Sequence, residues 1–523
     1  MTAGGRDLRD GRTVRAERLV PVALAAVVLL VAVVTITPWP VGAFQDDAIY
    51  TVLAKALATG EGYRMINLPG SPHATHYPPG YPVVLSILWR LAPSFPDNIV
   101  LFKFANAAWL ALAALGTMAF ARIRLGWSIG LAALAGAAGT LAIVVLLVTG
   151  VVLSEPLFMA LLLPALLLSE RTADTGRLPT ALAAGLACGV LAMVRSLGAV
   201  TVPAAVLVLL WRRRFAAAAV VAAAAAAFLV PWQLWVSAWQ SEIPMVLTGK
   251  YGAYGPWLAQ GYRAGGLDFA HSVVVANLQS LDGFLSYAFM PVVTVWPRAI
   301  AFLTVVGLAV GGLVMLVRRA PVTALFLAAY LTVIMLWPFE PHRFVLAVWP
   351  LLTICAGASI MAIGRWRPGR RSWRLVRWSG LAVSTAVVAG FAVYNFRGYT
   401  DRWWASVQRD VGQRAKPIAE WVVQNTSESD VLITDDDLIV YLYTGRRGMP
   451  TSTFLASERL APLPDEVHVA AVRTMIGRYH PRFFITTSST GQRTAESLTH
   501  AVPPLLRRYR QISGALIYEV PLR

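Results

Sequence analysis

The sequence predicts an α-helical polytopic membrane protein of about eleven transmembrane helices, with a small C-terminal extracytoplasmic α/β domain. Of its 523 residues, 57% are hydrophobic and 14% are charged, and the mean hydropathy is +0.60. Soluble domains are closer to a quarter charged. Several uncharged segments are long enough to cross a hydrocarbon core of about 30 Å. After Gly398, short β-type segments replace these long apolar runs.

The apolar segments follow one another through residues 1–397, which we assign to a transmembrane domain. Clear examples are Val20–Pro38, Ile129–Gly150, Ala299–Val317 and Phe344–Ile363. Arginine-rich hinges lie between alternate pairs of segments, where the positive-inside rule places cytoplasmic loops. These hinges contain Arg122 and Arg124, Arg171 and Arg177, Arg212–Arg214, Arg318 and Arg319, and six arginines from Arg365 to Arg377. The alternation predicts a cytoplasmic N-terminus and outer loops at residues 39–95 and 237–297.

The formal net charge of +18 reflects this topology. From Gly398 onward, 15 Lys and Arg residues face 13 Asp and Glu residues, so the excess lies in the hinges. We therefore do not expect a basic surface for nucleic acid. The first apolar segment exceeds the length of a signal-peptide core, and Pro38-Trp39-Pro40 lacks a small-residue cleavage pattern. We expect it to be a retained first helix.

Residues 398–523 have the texture of a soluble domain on the outer face. Short β-type runs occur at Val431–Thr434, Phe483–Thr486 and Ala515–Tyr518, bounded by Asp, Pro and Gly. Ala415–Val423 and Val467–Gly477 have apolar residues at helical spacing. A length of about 125 residues suits one small α/β core.

Acidic residues open the first outer loop, directly after the first span. Asp46-Asp47 is followed by Tyr50, then by Gly60-Glu61-Gly62-Tyr63 and by His76-Tyr77-Pro78-Pro79. Adjacent carboxylates can hold a divalent cation, or one of them can act as a base. Two acids in the first turn of a helix are also common without any such role.

Further polar segments stand at the predicted outer ends of later spans. They are Ser154-Glu155-Pro156-Leu157-Phe158, Arg195-Ser196-Leu197-Gly198, and Glu340-Pro341-His342-Arg343-Phe344. In this order, and with this topology, the segments resemble the GT-C membrane glycosyltransferases of the protein O-mannosyltransferase and lipid A aminoarabinose transferase kind. The chain departs from that family at Asp47, where Glu is usual, and at Tyr77, where relatives often have Lys or His.

The resemblance implies the GT-C fold and an inverting glycosyltransferase that uses a polyprenyl-phosphate-linked sugar. Its acceptor would be a glycan, a lipid or a protein on the outer face of a bacterial plasma membrane. Transfer needs a base for the acceptor hydroxyl and a cation for the leaving phosphate. The candidate catalytic residues are Asp46 as base and Asp47. The candidates for donor or phosphate binding are Arg343, Arg195, Tyr77 and His76, and those for a second carboxylate or acceptor site are Glu155 and Tyr50. The resemblance leaves open whether a cofactor is needed. If the reaction uses a divalent cation, Mg²⁺ or Mn²⁺, Asp47 and Glu155 would hold it.

Each assignment has a structural alternative. Glu155 can stabilise a helix N-terminus, Arg195 can snorkel at a helix end, and Arg343 can pair with Glu340. We interpret Tyr251, Tyr254 and Trp257 as an interfacial aromatic belt in preference to a sugar platform. Asp435-Asp436-Asp437 favours a solvated turn over a cation site.

Two other classes of function remain open. A transporter would need acidic residues near the middles of the spans, where this chain has almost none. A non-catalytic assembly protein of the cell envelope would have no need of Asp46, so substitution of Asp46 separates it from an enzyme.

Overall fold

The chain folds into a helical bundle with a small sheet domain after it. The structure is a computed structural model that describes residues 4–291 and 295–521, with the side chains of residues 17–291 and 296–521. The basic side chains that precede Glu17 lie outside the described residues. In chain order the helices are α1 (Gly4–Val34), α2 (Asp46–Ala58), α3 (Gly80–Leu91), α4 (Ile99–Leu125), α5 (Ile129–Thr140), α6 (Ile143–Thr149), α7 (Glu155–Thr175), α8 (Leu178–Val194), α9 (Thr201–Trp211), α10 (Phe215–Trp239), α11 (Thr248–Tyr251), α12 (Tyr254–Phe289), α13 (Val295–Arg319), α14 (Pro321–Leu336), α15 (Pro341–Leu346), α16 (Trp349–Arg365), α17 (Arg371–Thr400), α18 (Trp403–Asn425), α19 (Asp437–Thr444), α20 (Asp465–Tyr479) and α21 (Ser489–Thr499).

A helix or a consecutive pair of helices covers each predicted span. Within the described part of the chain, six helices are long and apolar enough to cross a membrane, namely α1, α4, α7, α10, α13 and α17. The pair α5 and α6, bent by 59°, makes a seventh if it counts as one span. The remaining predicted spans correspond to the shorter apolar helices α8, α9, α14 and α16. The predicted polytopic helical fold is thus confirmed.

Arginine side chains from several hinges meet at one end of the bundle. There, Arg124 pairs with Asp174 at 2.6 Å, and Arg212 pairs with the same carboxylate at 2.8 Å. Arg124 also donates to the carbonyl oxygen of Arg319 at 2.9 Å. Hinges that the charge pattern assigns to the cytoplasm therefore lie together. Which end faces the cytoplasm stays a prediction.

The two predicted outer loops contain helices of their own. The first holds α2 and α3, and the second holds α11 and most of the long helix α12. The backbone of α12 breaks at Gly266, whose φ of 53° and ψ of −134° favour glycine strongly. The second outer loop therefore contains the short helix α11 and the bent helix α12, where the sequence predicted only a loop.

The C-terminal residues form a five-stranded mixed sheet. Its strands are β1 (Val431–Thr434), β2 (Arg447–Met449), β3 (Phe483–Thr486), β4 (Arg507–Ile512) and β5 (Ala515–Glu519). Their order is β2-β1-β3-β5-β4, with β1 parallel to β2 and β3, and β5 antiparallel to β3 and β4. The three strands predicted from apolar runs are central. The sequence missed β2 and β4, which are edge strands and carry arginines in place of an apolar run.

The sheet domain is fixed to the bundle by a buried lysine. Lys103 of α4 donates to the carboxamide oxygen of Gln408 on α18 at 2.7 Å. The same ammonium donates to the carbonyl oxygens of Thr37 and Trp39 at 2.9 and 3.0 Å. Because a buried ammonium without partners is costly, these contacts hold α18 against the end of α1. The domain also contacts the first outer loop, where the backbone N–H of Gly448 donates to the carbonyl oxygen of Asn67 at 2.9 Å and that of Val41 donates to the hydroxyl of Tyr443 at 3.3 Å.

Candidate active site

The acidic pair of the first outer loop divides into two different environments. Asp46 and Asp47 open α2, where carboxylates favour the helix N-terminus. Consecutive helical residues point about 100° apart. Asp47 is fully buried, and its two oxygens accept hydrogen bonds from the backbone N–H groups of Gly42 at 2.7 Å and Phe44 at 3.1 Å. Burial raises the pKa of Asp47, against the effect of these N–H donors. Asp47 therefore shapes the turn that presents Asp46.

Asp46 accepts hydrogen bonds from two different parts of the chain. The hydroxyl of Tyr77 donates to Oδ1 at 2.6 Å, and Nη2 of Arg343 donates to Oδ2 at 2.7 Å. Burial and the charge of Asp46 raise the pKa of Tyr77, so its hydroxyl stays protonated and remains a donor. The carboxylate is held from both sides, while its side chain stays 21% exposed. It is thus both oriented and accessible.

Glu155 brings a second arginine to the same place. It begins α7 and is completely buried. Its Oε1 accepts a hydrogen bond from Nε of Arg343 at 2.9 Å and forms an ion pair with Nη1 of Arg195 at 2.8 Å. The same nitrogen of Arg195 donates to the hydroxyl of Ser154 at 3.0 Å. Two carboxylates and two guanidinium groups therefore form one cluster of balanced formal charge.

Local backbone breaks place the two arginines at the cluster. Arg195 ends α8 with an extended backbone at φ −146° and ψ 131°, so the chain turns there before α9. Arg343 lies on the one-turn helix α15, which Pro341 opens. Glu340 pairs with His342 at 3.2 Å, and Arg343 pairs with Asp46 and Glu155. The alternative in which Arg343 pairs with Glu340 is wrong.

A cavity of about 480 Å³ opens beside this cluster. Polar side chains of the cluster line it, among them Asp46, Tyr50, Tyr77, Arg195 and Arg343. Most of the remaining lining is apolar and includes Leu197, Val200 and Trp337. A charged floor with apolar walls suits an amphipathic ligand whose charged group is attached to a hydrocarbon chain.

The candidate residues contribute to this cavity to different degrees. Tyr50 lines it, and its hydroxyl lies 3.2 Å from that of Ser154. His76 lies behind Tyr77, with its ring centroid 4.4 Å away, and its Nδ1 is 2.6 Å from the carbonyl oxygen of Gly252. Burial lowers the pKa of His76, so a neutral ring donates from Nδ1 to that carbonyl. The structure thus gives His76 a supporting position, and its predicted contact with a phosphate stays a prediction.

Tyr254, for which the sequence interpretation preferred an interfacial belt, lines the cavity. Its ring lies 4.2 Å from that of His76 and 5.1 Å from that of Trp337. Tyr251 is fully buried and Trp257 is 3% exposed. The predicted interfacial belt is therefore wrong, because these side chains pack against the rest of the protein. The sugar platform, which was the less favoured interpretation of this cluster, was the signal that pointed Tyr254 towards a site.

The carboxylates of the site do not assemble an obvious metal-binding set. Among the described residues, no three His, Cys, Asp or Glu side chains lie together as metal ligands. Both oxygens of Asp47 are engaged by backbone N–H groups, and Oε1 of Glu155 is engaged by two arginines. A divalent cation at this site remains a prediction.

Solved structures, and not sequence comparisons, show what this fold is similar to. No protein-family model matches the chain, and no curated protein matches it significantly in sequence. Two solved structures of ArnT from Cupriavidus metallidurans are similar to it. Each match covers 95% of this chain and 97% of the ArnT chain. The structure bound to undecaprenyl phosphate has 16% identity and a TM-score of 0.55, and the apo structure has 15% identity and a TM-score of 0.54. The similarity that the sequence motifs predicted is thus confirmed, and the chain has the GT-C fold of ArnT.

Proposed function

We propose that the protein transfers a sugar from a polyprenyl phosphate to an acceptor hydroxyl in the cavity beside Asp46. One observation carries the proposal: an accessible carboxylate and two guanidinium groups share the charged floor of a cavity with apolar walls. These are the groups that glycosyl transfer from a lipid phosphate needs.

The solved structures support the donor class. One ArnT structure was determined with undecaprenyl phosphate bound. By analogy, the apolar walls at Leu197, Val200 and Trp337 would hold the first part of a polyprenyl chain, and the phosphate would lie on the charged floor. Planar guanidinium groups suit phosphate oxygens better than a point charge does.

The reaction balances with residues of this chain. The acceptor hydroxyl oxygen attacks the anomeric carbon, and its proton passes to the carboxylate of Asp46. The bond between the anomeric carbon and the phosphate oxygen breaks, and its electron pair stays on that oxygen. Arg343 and Arg195 stabilise the growing negative charge. Attack from the face opposite the leaving phosphate inverts the anomeric carbon.

Tyr77 and Glu155 have roles in the arrangement of these groups. The hydroxyl of Tyr77 fixes one oxygen of Asp46, and Glu155 fixes both arginines. We place the site on the outer side of a bacterial plasma membrane, with the N-terminus in the cytoplasm. The acceptor is a hydroxyl of a glycan, a glycolipid or a protein.

The test is sugar transfer by the purified full-length protein from a panel of radiolabelled polyprenyl-phosphate sugars. Asp46→Asn should reduce turnover by about a hundredfold or more, since the amide cannot accept the proton. Asp97→Asn is the matched control, because Asp97 is exposed and lies just after the same outer loop. Full activity of Asp46→Asn would remove the base assignment. If no donor were consumed by the wild-type protein, a transporter or assembly role would become the better hypothesis.

A further inference from the structure

The second outer segment touches the C-terminal domain through a buried hydrogen bond. The hydroxyl of Tyr251, at the end of α11, donates to the carboxylate of Asp437, at the start of α19. Tyr251 is fully buried and Asp437 is 4% exposed. Around this contact, Trp257 donates to the carbonyl oxygen of Phe454 at 3.3 Å. The contact is therefore inside a packed interface between the two parts of the protein.

This contact stands at one end of a continuous chain of interactions that reaches Asp46. Gly252 follows Tyr251, and its carbonyl oxygen accepts the hydrogen bond from His76. The ring of His76 packs edge-on against Tyr77, whose hydroxyl holds Asp46 at 2.6 Å. The position of Gly252 thus bears on the residue that orients the proposed base.

We propose that Asp437 is a positioning residue for the proposed active site. By holding Tyr251, it fixes the Gly252 carbonyl, and through His76 it fixes the side chain of Tyr77 against Asp46. The C-terminal domain then acts on the reaction through the first and second outer segments, without touching the reacting atoms. This inference rests on the proposed function, because it assigns Asp437 to the same site.

The surroundings of Asp437 make the contact sensitive to pH. Burial raises the pKa of Asp437 to about 7, while the hydrogen bond from Tyr251 and the charge of Lys250 lower it and Asp436 raises it. Lys250 in turn faces Asp435 and Glu458 as well. A carboxyl group with a raised pKa binds its proton more tightly in the packed interface than in an open one. The interface is therefore favoured in acid, and this contribution declines as the pH rises from near 4 to near 7.

The first experiment compares kcat and KM for donor turnover by purified full-length variants. Tyr251→Phe removes one hydroxyl and Asp437→Ala removes its acceptor, so each should lower kcat roughly tenfold with little change in the donor KM. The double variant should lose no more than either single variant, since both changes break one contact. A change confined to KM, or additive losses, would contradict the proposal.

Asp437→Asn keeps an acceptor for the hydroxyl of Tyr251 and removes the ionisable carboxyl group. The amide oxygen still accepts from Tyr251, so this variant should keep kcat close to that of the wild type at pH 5. Its kcat relative to the wild type should rise as the pH increases from 5 to 7, because only the wild-type side chain loses its contribution to the interface in that range. Asp465→Asn is the matched control, since Asp465 lies in the same domain at the surface and pairs with Arg493. A constant ratio across this range would overturn the pH response.

A second experiment needs no catalysis. Amide hydrogen exchange should quicken in residues 248–254 and in residues 73–77 of Tyr251→Phe and Asp437→Ala, and stay unchanged in Asp465→Asn. If the wild type consumed no donor, the proposed function would fail while the exchange data still reported on the coupling. If exchange in residues 73–77 did not change, the coupling itself would be refuted.

Discussion

Arg343 donates from Nη2 to Oδ2 of Asp46 at 2.7 Å, although the two residues lie 297 positions apart in the chain. Its Nε binds Glu155 at 2.9 Å at the same time. One planar guanidinium group thus joins the first outer segment, the start of α7 and the one-turn helix α15. The site depends on this pair of donor nitrogens, Nε and Nη2, because a single nitrogen could not bind both carboxylates with the same geometry.

Replacement of Arg343 by lysine tests whether the site needs both donor nitrogens of the guanidinium group. In Arg343→Lys one ammonium replaces two differently directed donors, so Asp46 or Glu155 loses its partner. We expect donor turnover to fall by about a hundredfold. Arg473→Lys, at an exposed position of the C-terminal domain, is the control for the chemical change. Equal turnover in both variants would show that only positive charge is needed.

Glu155 should matter for stability as well as for activity. Glu155→Gln leaves Arg195 and part of Arg343 buried without their carboxylate, and such a loss costs about 3 kcal/mol. A lower midpoint of thermal unfolding in detergent is the expected result. Glu428→Gln changes an exposed glutamate and should leave the midpoint unchanged. An unshifted midpoint in Glu155→Gln would mean that the cluster relaxes at little cost.

Tyr77 should affect catalysis more than folding. Tyr77→Phe keeps the ring contacts with Tyr50 and His76 and removes the donor to Oδ1 of Asp46. We expect kcat to fall about tenfold, because the carboxylate is held from one side only. Tyr81→Phe keeps the ring contact with Tyr50 and breaks a buried hydrogen bond to Asn106, and neither Tyr81 nor Asn106 lines the cavity. This variant should lower the unfolding midpoint with kcat retained. The reverse pattern would make Tyr77 a purely structural residue.

The interface between the second outer segment and the C-terminal domain leaves no room at Gly249. A Cβ atom there would lie 1.8 Å from the carbonyl oxygen of Phe454. Gly249→Ala should therefore displace the backbone near Phe454 and cost about 1–3 kcal/mol of stability. At Gly255 a Cβ atom meets no atom within 4 Å, so Gly255→Ala is the matched control. Limited proteolysis and thermal unfolding of both variants would measure the difference, and equal behaviour would contradict the close contact.

The sequence by itself determined the class of fold and the membership of the cluster. In a bilayer, a long apolar segment can pair its own backbone N–H and C=O groups only as a helix. The number of such segments and the basic hinges between them therefore predicted the helical bundle. Short polar motifs next to span ends, together with their resemblance to the GT-C glycosyltransferases, indicated Asp46, Glu155, Arg195 and Arg343 as candidates. Apolar runs likewise predicted the three central strands of the sheet.

Only the tertiary structure decided how these residues are paired. Periodicity does not show that Asp47 turns to the backbone of Gly42 and Phe44, or that Asp46 faces Arg343. Asp435 and Asp437 were interpreted as part of a solvated turn, yet Asp435 accepts bonds from Thr487 and Ser488 and Asp437 is buried. Such contacts join residues far apart in the chain, and their energy depends on burial that no local pattern encodes.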